Sequence, residues 1–256
     1  MPKLAANLSM MFNEVPFLDR FEAAAKAGFR GVEYLFPYDY TPDELAALLR
    51  DNNLTQVLFN MPPGDWAAGE RGLTALPKRE DEFRASVDRA ITYARALDCD
   101  AVHAMAGILE DTGEANVARY IANVRIAADA FAPHGIRLLL EPINRRDMPG
   151  YFLHTTAQAC ALIERIGRAN VFLQLDLYHA QVSEGDLAHK IRDLKALTAH
   201  VQIAGNPARH EPNLGEVNYD YLLDVLDETG YSGWVGCEYR PAGDTVAGLA
   251  WAARYL

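Results

Sequence analysis

Ile136-Arg137-Leu138-Leu139-Leu140-Glu141 is an apolar run that stops on a carboxylate, and the pattern recurs three times. Val171-Phe172-Leu173-Gln174-Leu175 stops at Asp176, Ala199-His200-Val201 at Gln202, and Trp234-Val235-Gly236-Cys237 at Glu238. Each interval has room for a loop, one helix and the next strand. Successive parallel strands of a barrel would bring all four polar side chains to the C-terminal rim, where such barrels do chemistry.

The same alternation extends through the whole chain. Candidate strands are Lys3–Asn7, Gly31–Leu35, Thr55–Asn60, Ala101–Ala104, Arg137–Glu141, Val171–Asp176, Ala199–Ile203 and Val235–Glu238. Between them lie stretches of helical period: Phe83, Val87, Ala90, Ile91 and Ala94 on one stripe, Val117, Ile121, Val124, Ala128 and Phe131 on a second, and Tyr221, Leu222, Val225 and Leu226 on a third. Ala27-Gly28, His134-Gly135 and Thr229-Gly230 are stop signals, and a last helix is expected around Val246–Tyr255. Alternating strands and helices mean parallel pairing with helical crossovers. Eight such units in 256 residues predict an α/β fold, a single (β/α)8 TIM barrel spanning 1–256. No G-x-G-x-x-G follows the first strand, which disfavours an open dinucleotide-binding sheet.

Half of the residues are hydrophobic, ample for one large core, and the formal net charge is −11. That balance opposes general affinity for nucleic acid. No stretch approaches the roughly 18 apolar residues that a membrane helix needs, and the N-terminus reads as no signal peptide. Cys99, Cys160 and Cys237 are odd in number and form no CxxC pair, so free thiols in a reducing cytoplasm are expected. Outer helices of a barrel can pack on a second copy, so a homo-oligomer is compatible with the chain.

A strand-end carboxylate is ordinary by itself. Four ligand-type residues at successive strand ends are not, because burying unpaired carboxylates is costly unless a cation compensates. Glu141, Asp176, Gln202 and Glu238 form an all-oxygen set suited to one divalent ion, Mg2+ or Mn2+, with positions left for substrate or water. Glu141 and Glu238 come from non-adjacent strands and fit an acid/base pair that removes and returns a proton. His179, Asp147 and Arg209 follow the ligands on rim loops. His179 is a candidate to polarise a substrate oxygen, and Arg209 to pair a substrate carboxylate. The segment Met61–Gly72 is glycine-rich and has the character of a lid. Trp66, Glu70 and Arg71 on it are expected to reach the substrate.

Several stretches resemble the hydroxypyruvate isomerase family of the xylose-isomerase-like barrels, nearly end to end. They are Ala6-Asn7-Leu8-Ser9-Met10, Phe29-Arg30-Gly31-Val32-Glu33 with Pro37-Tyr38-Asp39, Gly64–Gly72, Glu141-Pro142-Ile143-Asn144, Asp176-Leu177-Tyr178-His179, Gly215–Tyr221 and Gly233–Tyr239. The resemblance implies a metal-dependent enzyme interconverting hydroxypyruvate and tartronate semialdehyde (2-hydroxy-3-oxopropanoate) through a metal-bound enediolate. It implies ligation by Glu141, Asp176, Gln202 and Glu238, with Glu141 and Glu238 as acid and base. A close subgroup isomerises the four-carbon 2-oxo-tetronate, and the quoted motifs are common to both. Related ketose 3-epimerases carry His where this chain has Gln202. Three rivals remain: such an epimerase, a metal-dependent endonuclease, opposed by the acidic balance, and a non-catalytic sugar-acid binding protein, opposed by the two intact glutamates.

Overall fold

The computed structural model describes residues 2–256. Eight strands run parallel in chain order: β1 (Lys3–Asn7), β2 (Gly31–Tyr34), β3 (Thr55–Asn60), β4 (Ala101–His103), β5 (Arg137–Leu140), β6 (Val171–Asp176), β7 (Thr198–Ile203) and β8 (Trp234–Cys237). Pairing of β1 with β8, from Lys3↔Trp234 to Ala6↔Cys237, closes the barrel. This is the (β/α)8 barrel expected from the alternation. β5 and β8 each end one residue short of the expected boundary, so Glu141 and Glu238 open their loops instead of closing their strands.

The helices cover the outside. Pro42–Asp51 begins in a capping box between Thr41 and Glu44, with Pro42 in the first turn, where its missing N–H is harmless. Glu80–Ala96 buries Phe83, Val87, Ala90 and Ala94, and Glu114–Phe131 buries Ile121, Val124, Ala128 and Phe131, as their stripes require. Tyr219–Glu228 differs from expectation. Tyr219 is buried there and Tyr221 is half exposed, because the inward face is Tyr219, Leu222, Leu223, Val225 and Leu226. The last expected helix is a 3-10 turn at Ala247–Ala252. Gly248 inside it packs so closely on the buried Glu211 carboxylate that a Cβ would collide with it, and glycine is a poor helix former.

Inward-facing residues alternate along each strand. Ala5, Val57, Ala101 and Leu139, joined by Phe172 and Trp234, make an apolar floor inside the barrel. Two residues further along their strands stand Asn7, His103, Glu141 and Gln174, all buried. The interior therefore turns from apolar to polar within one layer, toward the C-terminal rim. β8 reaches that layer as Gly236, where a Cβ would run into the Glu33 carboxylate of β2. Among the described residues no helix is long and apolar enough to cross a membrane, and Cys99, Cys160 and Cys237 are unpaired thiols.

Candidate active site

The polar layer opens into a cavity of about 980 Å³ at the C-terminal end of the barrel. Glu141, His179, Arg209 and Glu238 line it, as do Asp147 and the loop residues Trp66 and Arg71.

Asp176 is placed by two roles at once. It ends β6 and caps the helix Leu177–Ser183, its Oδ1 accepting from the N–H of Tyr178 at 2.7 Å and of His179 at 3.2 Å. Its Oδ2 is left without a hydrogen-bond partner, as is Oε1 of Glu141, although both atoms are buried. The capping turn also folds His179 back over the barrel mouth. Its Nε2 lies 3.7 Å from Glu141 Oε1 and 3.6 Å from Asp176 Oδ2. Glu141, Asp176, His179 and Glu238 each offer one ligand atom, all within 4.8 Å of one another. Buried oxygens lacking donors, crowded at one point, are the arrangement a cation stabilises.

Arg209 provides the local positive charge. Its guanidinium pairs with Glu238, lies 3.7 Å from Asp176 Oδ2, and sits 4.9 Å over the Tyr178 ring. Burial, with the charges of Glu238 and Asp176, pushes the Glu141 carboxyl well above the usual carboxylate range. Burial raises Asp176 too, against the pull of Arg209. Burial pushes Glu238 up to about 8 despite the guanidinium beside it. Burial first, then Arg209, holds His179 well below its ordinary value.

Gln202 stands in register with Asp176 on the neighbouring strand, and neither lines the cavity. Its Oε1 accepts from Gln174 Nε2 at 2.6 Å, and its Nε2 donates to Glu33 Oε1 at 2.8 Å. Only the second lone pair of its carbonyl is left to face a cation. Asp147 sits on the wall, its carboxylate accepting from the Tyr178 hydroxyl at 2.7 Å. Trp66 packs edge-on against Phe36 at 5.0 Å and under the Arg71 guanidinium at 3.9 Å. Glu70, expected to reach the substrate, turns away. It pairs with Arg79 and accepts from the Asp65 N–H at 2.6 Å, stitching the loop together.

A supporting set of polar residues, unmarked in the sequence, surrounds these groups. Glu33 is a hub under the site, taking Asn7 Nδ2 at 3.0 Å and Gln202, with His200 Nε2 at 2.7 Å. His103 Nδ1 lies 3.2 Å from Asn60 Oδ1 and 3.4 Å from Glu141 Oε2, and burial lowers its pKa to about 3. Glu33 lies inside β2 with Tyr34 and Leu35 after it, so no end-of-run signal marked it in the sequence.

Residues 21–255 match the model of the xylose isomerase-like TIM barrel family. A 2-oxo-tetronate isomerase of Cupriavidus necator is 54% identical, covering 100% of this chain and 99% of that protein. The hydroxypyruvate isomerase of Escherichia coli is 48% identical over the full length of both. A crystal structure from Brucella melitensis, described as an AP endonuclease of family 2, is 58% identical and superposes with a TM-score of 0.98, covering 100% of this chain and 99% of that one. The chain belongs to the xylose isomerase-like TIM barrel family and stands among its isomerases.

Proposed function

We propose that the protein moves a carbonyl between C2 and C3 of a short 2-keto acid bearing a hydroxyl on C3. We further propose that four-carbon 2-oxo-tetronate is its preferred substrate and hydroxypyruvate the lesser one. The observation carrying the reaction is the pair of buried oxygens without a hydrogen-bond donor, Glu141 Oε1 and Asp176 Oδ2, close to Glu238. The roomy cavity and the relatives named for the four-carbon acid favour it over the three-carbon acid expected from sequence.

Glu141, Asp176 and Glu238 fit a divalent ion, with Gln202 offering its remaining lone pair; their hard oxygens suit Mg2+ or Mn2+. When bound, that ion supplies Lewis-acid polarisation of the substrate carbonyl. The chain's own groups do the rest. Glu141 and Glu238 flank the substrate, one oxygen taking the C3 proton and the other returning a proton to C2. Their raised affinity for protons suits each to hold a proton between those steps. Arg209 Nε is buried without a partner, which leaves a donor for the substrate carboxylate beyond the bond to Glu238. His179 faces the substrate oxygens, and Trp66 with Arg71 shields the enediolate from water.

NMR of each acid with metal-supplemented enzyme in deuterated water tests the reading. Turnover of both, faster for 2-oxo-tetronate, with deuterium entering the product and silence after EDTA, is expected. No turnover of either acid overturns it. The endonuclease reading has the description of the Brucella melitensis structure behind it. A net charge of −11 opposes it, and absence of plasmid nicking would dismiss it.

A further inference from the structure

We infer that Asn144 sets the tautomer of His179, so that the ring presents an Nε2–H donor to the substrate oxygen and does not serve as a metal ligand. The inference rests on the isomerase reading above and adds to it a positioning residue and a limit on the ligand set.

Asn144 is fully buried on the loop after β5. Its amide can be oriented without ambiguity. Oδ1 accepts from the Asp147 N–H at 2.8 Å, and Nδ2 lies 3.3 Å from the Asp147 carboxylate. Turned over, the amide would set N–H against N–H and oxygen against carboxylate, two repulsions in place of two bonds. The NH2 end therefore faces His179, with Nδ2 2.6 Å from Nδ1. The backbone N–H of Asn144 points at the same ring nitrogen from 3.5 Å. Both groups can only donate, so Nδ1 must bring a lone pair. In a neutral imidazole the proton then sits on Nε2.

That Nε2 faces acceptors, Glu141 Oε1 and Asp176 Oδ2, at 3.7 and 3.6 Å, too far for a bond, so its N–H is left for another acceptor. One contact pulls the other way. Arg209 NH2 lies 3.4 Å from Nε2. It is at the outer limit of a hydrogen bond, and the same nitrogen already donates to Glu238. The 2.6 Å contact of fixed polarity decides. A nitrogen bearing a proton has no lone pair for a cation, so of the four groups crowded within 4.8 Å only the three carboxylates can hold one. His179 is left to donate to the substrate. Asp147, steadied by the Tyr178 hydroxyl, holds Asn144 in turn.

The test is a long-range 1H–15N correlation on Mg2+-loaded enzyme labelled with 15N-histidine, with His179 assigned by the signals lost in His179→Gln. A pyridine-type Nδ1 and a pyrrole-type Nε2 are expected. A protonated Nδ1, or an Nε2 bound to metal, overturns the inference. Asn144→Asp keeps the acceptor for Asp147 N–H and replaces the donor facing His179 by an acceptor. It should exchange the two nitrogen types and lower kcat about 10- to 100-fold, the scale of lost orienting contacts. Unchanged nitrogen types or wild-type kcat in that variant would also overturn it. Should the variant not fold, the wild-type spectrum decides alone. A wild-type enzyme inactive on both acids would instead sink the isomerase reading, and the spectrum would still judge the tautomer.

Discussion

Glu33 Oε1 accepts from Gln202 Nε2 at 2.8 Å, and this contact decides which end of the Gln202 amide faces β2. With its NH2 held there, the carbonyl is turned to Gln174 and to whatever else the layer contains. Glu33→Gln removes one acceptor oxygen from a hub that also serves Asn7 and His200. The Gln202 amide then has no fixed sense. Mn2+ affinity, read by electron paramagnetic resonance of free ion, should weaken about tenfold or more. A folded variant with wild-type affinity would show that Glu33 does not orient the metal site.

Glu141→Gln and Glu238→Gln each keep the side-chain volume and remove the proton acceptor. Loss of about 10²- to 10⁴-fold in kcat is expected for either, the range general acid–base groups supply. Deuterium uptake separates them. The variant lacking the abstracting base should exchange no substrate proton, and the variant lacking the returning acid should still exchange at C3 without forming product. Near-normal turnover in either variant would release that glutamate from proton transfer.

The barrel was legible because strands buried on both faces read as apolar runs, unbroken in Leu138-Leu139-Leu140 and interrupted only by Gln174 in Val171–Leu175. Glu141, Asp176 and Glu238 were legible because each stands where such a run stops, whereas Gln202 lies inside β7, which continues to Ile203. Helix faces were legible except where neighbouring positions compete, as Tyr219 and Tyr221 do for one inward place. What sequence could not show is contact across the closed barrel. Glu33 meets His200 and Gln202, and Asn7 approaches Glu238, only because β1 joins β8. Glu70 follows the same logic in reverse. Its nearness in sequence to Trp66 and Arg71 suggested the cavity, while a long-reaching Arg79 drew it into the loop's own framework.

Stability of the metal-free protein should depend on pH in two opposed ways. Glu238 is pushed from an ordinary 4.5 up to about 8, chiefly by burial, and Glu141 and Asp176 are raised as well. The native state therefore holds protons that the unfolded chain has released, and this contribution to stability falls as pH climbs from about 4.5 to about 8. His103, lowered to about 3, and His179, also lowered, act the other way. The unfolded chain binds protons that these rings refuse, so their own contribution rises with pH up to about 6.5. Below about pH 6.5 the two rings offset most of the loss from the three carboxylates, and above it the carboxylates act alone, so thermal melts in EDTA should fall most steeply between about pH 6.5 and 8. Added Mg2+ or Mn2+ should raise Tm most on the alkaline side, where the ion replaces the missing protons. A metal-free Tm that climbs steadily to pH 9 would contradict the crowded carboxylates.

Arg209→Met should move substrate and metal binding in opposite directions. The guanidinium is the positive charge nearest the carboxylates, paired with Glu238 and 3.7 Å from Asp176 Oδ2. Its removal leaves those carboxylates to a cation without competition, so Mn2+ should bind more tightly. The substrate carboxylate loses a charge-assisted partner at the same time. A loss of about 1.5–3 kcal/mol corresponds to a KM raised roughly 10- to 100-fold. Arg209→Lys should recover little of it, since a single ammonium cannot serve Glu238 and the substrate together as the forked guanidinium does. Titration with Mn2+ and steady-state kinetics on the same preparation separate the two effects. Metal and substrate binding weakening together would mean that Arg209 only holds the loop in shape.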